Sequence, residues 1–117
     1  MKIFNGCCIA LASLFALPVL ACENPPLAVV PDGENATMEE LQAAQEDVRI
    51  YMEAMNEYIA CVDEELDSAG DDAPELFQSL MVSRHNIGVE EMELVAESFN
   101  EQVRAWREAN PAPEEEE

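Results

Sequence analysis

The sequence has few basic residues and few aromatic ones. It contains five lysines and arginines against 26 acidic residues, and its formal net charge is −21 at pH 7. Nucleic acids, heparin and anionic membrane surfaces are bound through basic patches, so this balance argues against all three as partners. Aromatic residues make up 6% of the 117 positions, which disfavours a large core. We therefore expect one small helical domain whose contacts are made by Leu, Val, Met and Ala.

The sequence also lacks the usual patterns of catalytic and metal sites. His85 is its one histidine, and it has no Cys-x-x-Cys pair, glycine-rich phosphate loop, Gly-x-Ser-x-Gly segment or calcium loop. No nucleophile–base pair or metal-ligand set can be assembled, so we predict no enzyme activity, no catalytic residue, no cofactor and no metal site. Four acidic clusters are interpreted as solvated helix faces, with a weak divalent-cation buffer or sensor as an alternative function; they are Glu39–Glu40, Asp63–Glu65, Asp71–Asp72 and Glu90–Glu93.

Residues 1–21 have the pattern of a secretory signal peptide. Lys2 supplies the positive charge, an apolar run covers 7–17, and Val19-Leu20-Ala21 presents the small-residue pattern of a cleavage site. The run is shorter than the about 20 residues that span a bilayer, so we expect no membrane span after the segment is removed. The pattern predicts an exported, periplasmic protein. The acidity and the lack of lysine after position 2 indicate a salt-adapted source.

Two cysteines, Cys22 and Cys61, remain after such a cleavage, and Cys22 has two interpretations. In an oxidising compartment the two thiols are expected to form a disulfide. An extended leader over 22–36 reaches up to about 50 Å, whereas Thr37 and Cys61 lie about 36 Å apart on a helix. Alternatively, Val19-Leu20-Ala21-Cys22 resembles a bacterial lipobox, and a lipid on Cys22 would anchor the protein to the outer membrane. Because lipidation would leave Cys61 as an odd thiol, the disulfide is favoured.

Residues 22–36 are predicted to form an extended, proline-rich leader. Pro25, Pro26 and Pro31 restrict the backbone, and Pro31-Asp32-Gly33 is typical of a turn. The apolar stretch 27–30 would be unusual in a flexible linker. We therefore expect the leader to pack against the helices.

Two long helices are predicted after the leader. Thr37 and Glu40 form a capping box, and apolar residues keep a helical period from 37 to 67. A second helix is predicted over 73–109, with Pro74 in its first turn and a kink or short break at Asn86–Gly88. Residues 110–117 are predicted to be a disordered acidic tail.

The predicted fold class is all-α, an antiparallel two-helix hairpin with coiled-coil-like packing and the leader packed along it. Two helices alone bury only one seam, and the leader can cover it. Dimerisation into a four-helix bundle is the alternative, so the predicted assembly is a monomer or a homodimer. The long helical surface favours a structural or interaction role, with an unknown protein partner in the cell envelope.

The order of these segments resembles a group of small exported helical proteins of Gram-negative bacteria. The resemblance covers residues 22–107 and is carried by Cys22, Pro31-Asp32-Gly33, Tyr58-Ile59-Ala60-Cys61, His85-Asn86 and Phe99-Asn100. It implies an exported helical hairpin and the Cys22–Cys61 disulfide, and it transfers no activity. The chain departs from the group in its abundance of acid and its lack of lysine.

Overall fold

The computed structural model describes residues 22–113, which form two long helices preceded by an extended leader. Helix α1 covers Met38–Ala69 and helix α2 covers Glu75–Ala109, and no strand occurs in this range. The helices pack against each other in opposite directions, with Leu41 near Trp106 and Leu66 near Gln78. The predicted all-α hairpin is therefore confirmed. The predicted signal peptide, 1–21, and the last four residues of the predicted tail lie outside the described residues.

Helix α1 begins at the predicted capping box and ends at a glycine. The backbone N–H of Glu40 donates to Oγ1 of Thr37 at 3.2 Å, and the backbone N–H of Thr37 donates to Oε2 of Glu40 at 2.7 Å. At the other end the helix continues to Ala69, two residues beyond the predicted boundary. Gly70 ends it with a φ of 75°, a left-handed conformation that glycine adopts without steric penalty.

Helix α2 is continuous, so of the predicted kink or short break at Asn86–Gly88 the break does not occur. Gly88 is buried, and an ideal Cβ at this position would lie 3.0 Å from Cγ1 of Ile59 and 3.4 Å from Sδ of Met55. The missing side chain allows α2 to approach α1 closely. This packing compensates for the roughly 1 kcal/mol by which glycine disfavours a helix relative to alanine. The helix also begins at Glu75, directly after Pro74, and not at residue 73.

The core lies along the seam between the helices. Its most deeply buried large side chains are Met55, Val62 and Met81. The same cluster contains Tyr51, Tyr58, Val95 and Cys22. Burying an aliphatic or aromatic side chain stabilises a fold by about 1.5–3 kcal/mol. Because Cys22 belongs to this cluster, the start of the leader is part of the core.

The leader runs along α2 in the same direction as that helix. The side-chain amide of Asn24 donates to Glu91 at 3.4 Å, and further along the backbone N–H of Gly33 donates to Oε1 of Gln102 at 2.8 Å. Ala28 packs against the core between these two contacts. The leader thus forms a third element beside the hairpin and turns back into α1 at Asp32–Ala36, where Ala36 donates to the carbonyl of Asp32 at 2.9 Å.

Candidate functional site

A disulfide joins the leader to α1. It links Cys22 and Cys61, which are 39 positions apart in the sequence and have their Cα atoms 5.7 Å apart. Cys22 is buried and Cys61 is half-buried. The predicted pairing is therefore present. Because a lipid would need the same sulfur atom of Cys22, a chain with this disulfide does not carry one.

The half-buried side chain of Arg84 connects all three elements. Its Nη2 donates to the carbonyl oxygen of Cys22 at 2.8 Å, and its Nε donates to the hydroxyl of Tyr58 at 3.1 Å. The guanidinium also lies 5.5 Å from the centre of the Tyr58 ring, within cation–π range. Sequence analysis missed this role. The available signal was the position of Arg84 three residues after the apolar Met81, on the face of α2 that packs against α1.

His85 pairs with an acidic residue of α1. Its Nδ1 lies 2.8 Å from Oδ1 of Asp63, and both side chains are partly exposed. One imidazole and one carboxylate do not make a metal-ligand set. The geometry is that of a helix histidine with one ring nitrogen satisfied by a carboxylate.

Cys22, Cys61 and Glu65 bring three candidate metal-ligand atoms within 4.8 Å of one another. Metal ions bind cysteine as the thiolate, and both sulfurs are here bonded to each other. In the disulfide form this cluster therefore offers a metal only the carboxylate of Glu65.

Most of the acidic surface is not compensated by ion pairs. Arg49 contacts Glu46 at 2.8 Å and Glu53 at 3.1 Å, and these contacts raise the pKa of Arg49. The hydrogen bond from Arg49 lowers the pKa of Glu46. Across residues 22–113 the ion pairs with arginine involve only these two glutamates, and Asp63 contacts His85. The remaining carboxylates in that range give the hairpin a strongly negative surface.

Four large apolar side chains are exposed on the side of α2 that faces away from α1. Leu76 is 82% exposed, and Leu80, Ile87 and Leu94 are 54%, 49% and 65% exposed. Their spacing of four, seven and seven residues places them in one stripe along the helix. We call these four residues the outer α2 face. The apolar spacing of the sequence does not distinguish these exposed residues from the buried ones of the same helix.

The outer α2 face adjoins a groove formed with the leader. Leu27 and Val30 of the leader line this groove together with Leu94 and Val95 of α2. Leu27 is itself 63% exposed. The leader therefore extends the apolar surface at Leu94.

A second groove lies at the open end of the hairpin. Trp106 lines it with Met38, Leu41, Phe99 and Val103. Trp106 is only half-exposed there. This tryptophan therefore packs at the start of α1, whereas the apolar part of the leader packs at Leu94 and Val95.

Comparison of this chain with protein-family models, with curated proteins and with solved structures finds no significant match. Neither helix in the range 22–113 has an apolar stretch long enough to cross a bilayer.

Proposed function

We propose that this chain is an exported, non-catalytic interaction protein of the bacterial cell envelope that binds a protein partner through the outer α2 face. The exposure of that face is the observation that carries the proposal. Apolar side chains scattered singly over a surface need no explanation, whereas several large ones aligned along one side of a helix are typical of an interaction site. Here four such side chains follow one another along a single helix whose opposite side is already packed.

The disulfide supports the proposed export to the periplasm. Disulfides persist in oxidising compartments and are rare in the cytosol. The signal-peptide pattern of residues 1–21 and the resemblance to exported proteins of Gram-negative bacteria point the same way. Intact mass of the exported protein, measured with and without reductant, tests this part. Cleavage before Cys22 and a gain of two hydrogens on reduction are expected, whereas a lipid-sized mass increase at Cys22 would overturn it.

The surroundings of the polar side chains support a non-catalytic role. His85 is paired with Asp63, and Arg84 is engaged by Cys22 and Tyr58. Both are thus engaged in contacts between elements of the fold.

Site-specific photo-crosslinking in cells that export the protein tests the binding role. A photoreactive residue at position 80 or 87 lies on the outer α2 face, and the same residue at position 50 serves as the control. Ile50 is on α1 and is 51% exposed, close to the 54% of Leu80. We expect the same envelope protein to be captured from positions 80 and 87 but not from position 50. Equal capture from all three positions, or none from 80 and 87, would refute the proposed surface.

A further inference from the structure

The outer α2 face belongs to a longer exposed seam with the spacing of a coiled coil. Exposed residues recur along it at alternating intervals of four and three, as in the core positions of a heptad repeat. We call this set the α2 seam, and it consists of Leu76, Leu80, Ser83, Ile87, Glu90, Leu94 and Glu97. Such spacing is the geometry that packs against another helix. In the described part of the chain, α1 packs against the opposite side of α2 and does not occupy this seam.

The α2 seam is acidic as well as apolar. Glu90 and Glu97 occupy alternate core positions in its second half, and the exposed Glu93 and Glu101 lie beside them. None of these four carboxylates has an ion pair in the range 22–113. Arg84, on the side of α2 that packs against α1, is held by the leader and α1. A helix that packs on this seam must therefore meet two uncompensated negative charges between apolar residues.

A second copy of this chain does not satisfy these charges. A parallel pairing in register would place Glu90 against Glu90 and Glu97 against Glu97 at the centre of the contact. An antiparallel pairing would place carboxylates against apolar residues with no donor. Burying a carboxylate without a partner is strongly unfavourable. The net charge of −21 on each chain adds further repulsion.

We infer that the occupant of the α2 seam is a basic amphipathic helix of a partner protein, an inference that rests on the proposed binding role. Such a helix offers apolar residues to Leu80, Ile87 and Leu94 and lysine or arginine to Glu90 and Glu97. Its charges pair with the glutamates as the contact desolvates them, and the strongly acidic surface of the hairpin accelerates its association. Specificity arises because the same glutamates repel acidic helices.

Two synthetic peptides test the charge of the partner. Each peptide contains four heptads, and each heptad has two core positions. The first core position is leucine in both peptides. The second is lysine in one peptide and glutamate in the other. Fluorescence anisotropy with the purified, disulfide-bonded full chain measures their binding at low and moderate salt. We expect the lysine peptide to bind at least about tenfold more tightly than the glutamate peptide, with an affinity that falls as salt rises.

Matched variants separate contact at the seam from general attraction to an acidic protein. Glu90→Gln with Glu97→Gln should weaken binding of the lysine peptide by about tenfold. The control is Glu57→Gln with Glu64→Gln on α1, where both residues are exposed, equally spaced and without ion pairs in the described part of the chain. It has the same net charge and should leave binding nearly unchanged. Ile87→Ser should weaken binding, whereas Ile50→Ser on α1 should not.

Equal weakening by the two glutamine pairs would overturn the inference, because it would show general electrostatic attraction only. Dimerisation of the chain that is abolished by Ile87→Ser would also overturn it in favour of a second copy. If no peptide binds while crosslinking from positions 80 and 87 captures an envelope protein, the partner chemistry is wrong and the binding role stands. If the lysine peptide binds at the seam while crosslinking captures nothing, the seam chemistry stands and the cellular role fails.

Discussion

The guanidinium of Arg84 donates a hydrogen bond of 2.8 Å from Nη2 to the backbone carbonyl oxygen of Cys22. The same residue of the leader is bonded through its side chain to Cys61 of α1. The start of the leader is therefore held twice at one point, once covalently to α1 and once by a charged donor from α2. Loss of either the disulfide or the Arg84 hydrogen bond should therefore weaken the attachment of the leader to the helices.

Replacing Arg84 should destabilise the fold. Arg84→Met removes the hydrogen bonds to Cys22 and Tyr58, and we expect a loss of about 2 kcal/mol in the free energy of unfolding, as is typical for hydrogen bonds to charged groups. Urea unfolding of the oxidised protein measures it. The control is Arg104→Met, at an exposed position of the same helix. If both variants unfold at the same urea concentration, Arg84 has no special role in holding the leader.

Removing the disulfide should have a larger effect. The double variant Cys22→Ser, Cys61→Ser opens a loop whose ends are 39 positions apart in the sequence. Because the unfolded chain gains entropy without this cross-link, we expect the free energy of unfolding to fall by about 4 kcal/mol. The wild-type protein in reductant should unfold at nearly the same denaturant concentration as this variant. Titration of two free thiols in the native oxidised protein would contradict the disulfide itself.

Gly33→Ala should detach the turn of the leader from α2. The backbone N–H of Gly33 donates to the side chain of Gln102 at 2.8 Å, and a Cβ at position 33 would overlap the backbone carbonyl of Gln102. Overpacking of this kind destabilises by about 1–3 kcal/mol. Glu34→Ala changes the exposed neighbouring residue and should have little effect. The idea fails if thermal unfolding shows the two alanine variants to be equally stable.

Tyr51→Phe should stabilise the protein, whereas Tyr58→Phe should destabilise it. The hydroxyl of Tyr51 is buried without a hydrogen-bond partner in the described part of the chain, and removing it should gain about 1 kcal/mol. The hydroxyl of Tyr58 accepts from Arg84 at 3.1 Å, so its removal loses a contact. Opposite shifts in melting temperature are expected. Shifts of the same sign would contradict the assigned surroundings of the two rings.

The same tyrosine predicts a dependence on alkaline pH. Burial, and secondarily the charge of Glu91, raise the pKa of Tyr51 above its ordinary value of 10.0. The neutral phenol is thus favoured in the folded state, so ionisation of Tyr51 leaves the stability unchanged below pH 10 and lowers it as the pH rises from 10 through the raised pKa. The stability of the wild-type protein should therefore fall more steeply above pH 10 than that of Tyr51→Phe. Parallel curves would argue against this burial.

Glu40 predicts a dependence on acidic pH. Its hydrogen bond from the backbone N–H of Thr37 lowers its pKa below the ordinary 4.5. Its stabilising contribution is therefore full above pH 4.5 and is lost as the pH falls through the lowered pKa. The difference in stability between wild type and Glu40→Ala should shrink on acidification, as followed by urea unfolding at several pH values. For Glu39→Ala, in the same first turn, we expect a smaller difference at neutral pH.

The parts of the fold that depend on residues close together in the sequence could be predicted from the sequence. The capping box of Thr37 and Glu40, the end of α1 near Gly70 and the hairpin itself follow from local backbone chemistry and from apolar spacing. The same local rules allowed a break at Gly88 that does not occur, because the helix propensity of glycine takes no account of Ile59 on the facing helix.

The amino-acid sequence alone thus determined two amphipathic helices, the extended course of the proline-rich segment and the presence of a partner thiol within its reach, because each depends on neighbours in the chain. Only the tertiary structure decided that Arg84 bonds to Cys22 and that Leu76, Leu80, Ile87 and Leu94 remain exposed. Apolar residues are distributed around more than one side of α2, and their spacing cannot say which side meets α1. That choice depends on how the two helices and the leader pack together, and it leaves these four side chains exposed.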